Sequence, residues 1–170
     1  MDRVQKYEDI TDRMEVEIAD YLAKVSQGEL SVAASIKVRA MISMINDMER
    51  IGDICYQMSI SVERKNEQKA QFMPEPTDSL EEMIAEVTKA LVVMNNNLNT
   101  HYSQVVLTEA DEVEIIINKL RNKLRKNYLQ RIEKGEVKIE TAMIYNNLIH
   151  SLEKVGDHIF NISEAIVGDK

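Results

Sequence analysis

The chain is poor in the residues that break or cross-link a fold: one cysteine, two prolines, five glycines and no tryptophan in 170 residues. A lone thiol, Cys55, cannot close an internal disulfide, which fits a reducing compartment. So few turn-formers exclude the many short connections of a β-sandwich or barrel. No apolar run approaches the ~20 residues that span a bilayer. Nor does the N-terminus pair a charged region with an apolar one as a secretion signal does. A soluble, cytoplasmic chain is expected, meeting a membrane only through a parent protein. The formal net charge of −8 argues against a general nucleic-acid binder, which displaces counterions with a basic face, so nucleic acid is not an expected partner. Gly-rich phosphate loops, nucleophile elbows and Cys-x-x-Cys pairs are missing too. A di-iron bundle needs Glu-x-x-His, but His101, His150 and His158 follow Leu98, Asn147 and Val155 at that offset. Nothing points to an enzyme.

What is abundant is apolar helix-former: 44% of residues are hydrophobic, ten of them Met, a composition suited to helix-on-helix packing. The length fits one domain, residues 1–170. Apolar spacing predicts five helices. The first runs from Asp2 to Gln27 on Tyr7, Ile10, Met14, Ile18, Tyr21, Leu22 and Val25, with Gly28 as its left-handed stop. The second starts at Leu30 or Ser31 and passes Val62, with its seam at Met44, Met48, Ile51, Cys55, Met58 and Val62. The charged run Glu63–Lys69 is expected to fray, and Pro74 and Pro76 mark a connection. Asp78 and Ser79 open the third helix, with Glu81 and Glu82 for a capping box and a seam of Leu80, Ile84, Val87, Leu91, Met94 and Leu98. It continues to Tyr102, before a break near Val105–Leu107. Thr108 caps the fourth helix, which buries Val113, Ile117, Leu120 and Leu124 and stops at Gly135. The fifth, Val137–Val167, buries Ile144, Leu148, Leu152, Val155, Ile159, Ile162 and Ile166. The expected fold is an all-α, up-and-down bundle of long antiparallel helices.

The chain is also duplicated. Glu49-Arg50-Ile51-Gly52-Asp53 returns as Glu153-Lys154-Val155-Gly156-Asp157, and Tyr21-Leu22 with Gly28-Glu29 returns as Tyr128-Leu129 with Gly135-Glu136. Two blocks in one order signify an internal repeat. Residues 1–71 form repeat 1 with two helices, and 78–170 form repeat 2 with three. Either the unit is three helices and repeat 1 lacks its opening helix, or the unit is two helices with an inserted connector.

Residues four apart on a helix lie about 40° from each other, so Glu49 shares a face with Asp53, and Glu153 with Asp157. Like charges at this spacing and a mid-helix Gly, worth about 1 kcal/mol against Ala, are both unfavourable, yet both occur twice. Paired carboxylates can take a hard or borderline cation, with Gly admitting a neighbouring helix. Heptad positions b and f place these acids outward, away from the seam. That permits a surface cation site, and it is equally what a solvated face carries. Glu8 and Asp12 repeat the spacing and either converge on the same cation or, as the favoured reading, are solvated charge. His158 is expected to be exposed and Cys55 to be a small core residue. The basic run from Lys119 to Lys134 reads either as a docking patch for an acidic partner or lipid headgroups, or as a solvated face.

The doubled Glu-x-x-Gly-Asp motif resembles the paired signature of the PhoU family of phosphate-transport regulators. The segment Tyr7–Glu15 looks closest to the PhoU-like C-terminal domain of bacterial sodium/phosphate cotransporters. The resemblance implies two three-helix bundles, so a helix is missing before Met1. It also implies a non-catalytic regulatory role and iron or zinc held by Glu49 with Asp53 and by Glu153 with Asp157. The implied partners are a transporter membrane domain or another phosphate-transport component, with a homo-oligomer as the further expectation. The rival reading is a structural or oligomerising bundle whose acids are idle.

Overall fold

A computed structural model describes residues 2–72 and 74–168, with side chains for 3–72 and 78–168. Its helices are α1 (Asp2–Val25), α2 (Val32–Glu67), α3 (Pro74–Asn99), α4 (Thr108–Glu133) and α5 (Ile139–Val167), with a 3-10 turn at Tyr102–Gln104. Among the described residues there is no strand. The all-α repeat architecture is therefore as expected.

Several helix ends differ, each for a local reason. Gly135 takes the left-handed φ of 70°, but Gly28 does not. α1 ends at Val25, where the Gln27 amide turns to the Lys24 carbonyl at 3.2 Å and the Ser26 hydroxyl donates to the Leu22 carbonyl at 2.7 Å. α3 begins at Pro74 rather than Asp78, because proline in a first turn removes no N–H that the helix uses. It ends at Asn99 rather than Tyr102, where the Asn99 and Thr100 side chains donate to the carbonyls of Asn95 and Asn96. Leu107, not Thr108, is the cap residue of α4. The run expected to fray stays helical to Glu67, and Lys65 lies 5.1 Å from the centroid of the Phe72 ring.

α5 is the axis. It packs against α2, α3 and α4, while the packing partner of α1 is α2. Met44 clusters with Ile162, Ala165 and Ile166, and Asp47 meets His158 and Asn161, so α2 and α5 run antiparallel. Every residue expected in the α4 and α5 stripes is buried. In α3 Val87 is buried as expected, but its buried neighbours are Met83, Ala90 and Val93, while Ile84 and Leu91 are exposed. Apolar side chains fill two stripes of α3, and only the groove of α4 and α5 selects between them.

α1 and α2 carry the other departure. Of the stripe expected in α1 only Leu22 is buried, and Tyr7, Met14, Tyr21 and Val25 face solvent. Contact also resets the register of the repeat. Gly52 lies against Thr11, and its equivalent Gly156 lies against Ile117. Thr11 thus corresponds to Ile117, and Leu22 to Tyr128, one position off the matching letters. Leu22 and Tyr128 are both buried, whereas Tyr21 is exposed. In this register Tyr7 and Met14, 55% and 53% exposed, answer Val113 and Leu120, 1% and 8% exposed. Val113 packs in one core cluster with Met83, Val87 and Ala90 of α3. No described helix stands in that place over α1.

Candidate functional site

Between α1 and α2 lies an acidic groove. Glu8 and Asp12, one turn apart on α1, and Asp53 on α2 bring carboxylate oxygens within 4.8 Å of one another. Gly52 is what admits α1 so closely, since a Cβ there would stand 2.5 Å from Thr11 Oγ1. The Thr11 hydroxyl donates to the Glu8 carbonyl at 2.8 Å. Asp12 Oδ1 is shut off from solvent and has no hydrogen-bond donor. Glu8 and Asp12, expected to be solvated charge, are therefore half-buried members of a three-carboxylate cluster. Spacing along α1 showed the pair, but only helix packing shows Asp53 opposite it.

Crowded like charges and lost hydration favour the neutral form of a carboxyl. The Glu8 carboxyl is pushed above its ordinary 4.5 first by burial, then by Asp12, Asp9 and Asp53. Glu49, one turn before Asp53, is raised first by burial and then by Asp53, with Arg50 opposing and Glu15 adding. Arg50 is the nearest compensation, at 3.6 Å from Glu49 and 3.4 Å from Asp53, and it is largely exposed.

The same place in repeat 2 is built differently. Glu153 is 5% exposed, not outward-facing, because a helix with neighbours on three sides has little outer face. Glu49 is half-buried against α1 for the same reason. Arg121 Nη2 of α4 donates to Glu153 Oε1 at 3.0 Å, and Lys154 Nζ donates to Asp157 Oδ2 at 2.7 Å. Glu114 answers Glu8 and accepts a hydrogen bond from Asn118, which answers Asp12. Burial, then Asp157, pushes the Glu114 carboxyl up. Arg121 itself stands where repeat 1 has Glu15. One couple thus faces more acids, while the other has a guanidinium and an ammonium in contact.

His158, expected to be exposed, is half-buried and pairs through Nδ1 with Asp47 Oδ1 at 2.8 Å. The Asn161 amide donates to the same oxygen at 3.2 Å, giving α2 and α5 a polar clamp that the sequence pattern did not signal. Cys55 is half-buried, and burial pushes its thiol up, as suits a core residue.

These features define a class: a duplicated helical bundle with a carboxylate couple in the groove of each hairpin. The PhoU domain family matches residues 1–62 and 77–166, and the chain belongs to that family. It is similar to the phosphate-specific transport system accessory protein PhoU homolog 1 of Thermotoga maritima. The two are 24% identical over 171 residues, covering 97% of this chain and 70% of the relative. No solved structure matches the chain. No helix among the described residues is long and apolar enough to cross a membrane.

Proposed function

We propose that the chain is a non-catalytic regulatory domain of phosphate uptake whose α1–α2 groove binds a metal cation. The observation that carries the cation is the meeting of Glu8, Asp12 and Asp53 with one Asp12 oxygen left without a donor. A cation supplies counter-charge beyond that of the exposed Arg50, and Glu49 is the fourth carboxylate within a turn. The cluster offers only oxygen, which fits a hard ion and places iron ahead of zinc. At Glu153 and Asp157 a cation must displace Arg121 and Lys154, so this second couple is the weaker site. The phosphate role rests on family membership and on the name of the Thermotoga relative. The likeness of Tyr7–Glu15 to cotransporter domains supports the cytoplasmic face of a sodium-dependent phosphate transporter as the setting. The partner is then the membrane domain of that transporter or another component of phosphate transport.

Metal analysis of protein purified without chelator, compared with Asp53→Asn, tests the cation. Loss of most bound metal in the variant is expected, and equal content in the two would sink the ligand assignment. Phosphate uptake by cells carrying Asp53→Asn in the parent gene tests the role. Uptake indifferent to phosphate supply is expected there, and unchanged regulation would remove it.

A second reading has its own support. Tyr7, Met14 and Tyr21 give α1 an exposed apolar stripe with a period of seven, which favours an assembly surface. Sedimentation that shows a monomer at all concentrations would dismiss a homo-oligomer.

A further inference from the structure

Between α4 and α5, beside Glu153, runs an open cleft of about 470 Å³ lined by Arg121, Arg125, His150 and Lys154 together with Asn146 and Glu153. In the register set by the two glycine contacts, the four basic positions are Glu15, Ala19, Asn46 and Arg50 in repeat 1. Duplication therefore left one basic residue in the first groove and four in the second, in a chain that is acidic as a whole. We propose that this cleft binds a small phosphoryl-bearing anion.

Glu153 anchors the arrangement. Its Oε1 holds Arg121 Nη2 at 3.0 Å, and its Oε2 lies 3.4 Å from His150 Nδ1 and 3.7 Å from Lys154 Nζ. A buried carboxylate that fixes a guanidinium orients it for an incoming oxyanion and reduces the entropy lost on binding. Arg125, one turn further along α4, is exposed and makes no ion pair among the described residues. Glu153 compensates Arg121 and Asp157 compensates Lys154, so among the described residues Arg125 contributes the positive charge left uncompensated in the cleft. Planar guanidinium groups also suit the oxygens of a phosphoryl group. The cleft is distinct from the α1–α2 cation groove, so either proposal can fail alone.

Calorimetric titration of the full chain with inorganic phosphate, and separately with glycerol 3-phosphate, tests this, using Arg125→Ala and His150→Ala as variants. Both positions are exposed, so both variants should fold. Saturable binding of at least one titrant at millimolar concentration is expected, weakened about tenfold or more in Arg125→Ala. Metal content should not change in that variant. Tighter binding of free phosphate identifies the inorganic ion, and tighter binding of the ester identifies a phosphorylated metabolite. Absence of saturation with both titrants would overturn the site. So would equal affinity in Arg125→Ala, or binding abolished by chloride at matched ionic strength.

Discussion

The two hairpins, α1–α2 and α4–α5, have one geometry and opposite electrostatics. In each, a glycine admits the neighbouring helix and a Glu and an Asp sit one turn apart beside it. In the first hairpin the opposing helix adds Glu8, Asp12 and Glu15; in the second it adds Glu114 and Arg121. The first couple has only the largely exposed Arg50 as a counter-charge, and the second has Arg121 and Lys154. Duplication copied the couple, and the helix across the groove decides what the couple does. The second hairpin is also roofed by α3 whereas α1 is bare, so a change of similar size is absorbed differently in each.

The largest contrast should come from the residue across the groove. Arg121→Ala leaves the buried Glu153 carboxylate without its closest counter-charge. Breaking a buried pair costs about 3–5 kcal/mol, and the partial exposure of Arg121 reduces this to about 2–3 kcal/mol. Glu15→Ala at the equivalent place removes a charge that already strains Glu49, so a change within about 0.5 kcal/mol is expected. Urea unfolding of both variants gives the comparison. Equal losses would show that the two grooves do not differ in the way described.

The glycines give the next contrast. A Cβ on Gly156 would stand 3.1 Å from Ile117 Cδ1 and 3.2 Å from its Cγ2, and Ile117 is fully buried in the core that α3 closes. Overpacking of about 1–3 kcal/mol outweighs the roughly 1 kcal/mol that Ala gains over Gly in a helix. Gly156→Ala should therefore lower stability by about 1–2 kcal/mol. Gly52→Ala meets the Thr11 side chain, Oγ1 at 2.5 Å and Cβ at 3.4 Å, but α1 is seated on α2 and can tilt away, so the loss of stability should be smaller than at Gly156. The tilt spreads Glu8 and Asp12 from Asp53, and metal affinity should fall. Matched melting temperatures for the two variants, or unchanged metal affinity in Gly52→Ala, would contradict this account.

How much of this is legible in the sequence depends on how many sides of a helix are covered. In α5 the apolar stripe reads correctly throughout, because three neighbours cover the faces that carry it. In α3 two apolar stripes compete, and letters alone cannot choose between them. In α1 the stripe is present, but nothing described covers it, so the expected burial of Tyr7 and Met14 fails. The carboxylate couples are visible as spacing. The cluster of Glu8 and Asp12 with Asp53 is not, since it depends on which face of α1 meets α2. The Tyr-Leu letters suggest a register one residue off the one that Thr11 and Ile117 set on the two glycines, where Glu8 with Glu114 and Ile10 with Ile116 are the shared letters.

The smallest effect is the most diagnostic, because it should change sign between repeats. Asp53→Asn, without metal, removes a charge that raises both Glu8 and Glu49. Its pair with Arg50 is long and exposed, so the variant should gain up to about 0.5 kcal/mol at neutral pH. Asp157→Asn weakens the 2.7 Å bond that, more than any other factor, raises the Lys154 ammonium pKa, and it should lose a similar amount. The pH dependence follows from the same groups. With folded-state values above 4.5, Glu8 and Glu49 make the native chain bind more protons than the unfolded one. Their contribution to stability is therefore greatest below 4.5 and is lost as pH rises through the raised values. Asp53→Asn should flatten that decline, and saturating metal should offset it in the unsubstituted protein only. Melting curves between pH 4 and 8, with and without metal, read both effects. A common sign for the two Asn variants would mean that the couples remain equivalent after all, and that the guanidinium of Arg121 has not changed the use of the second.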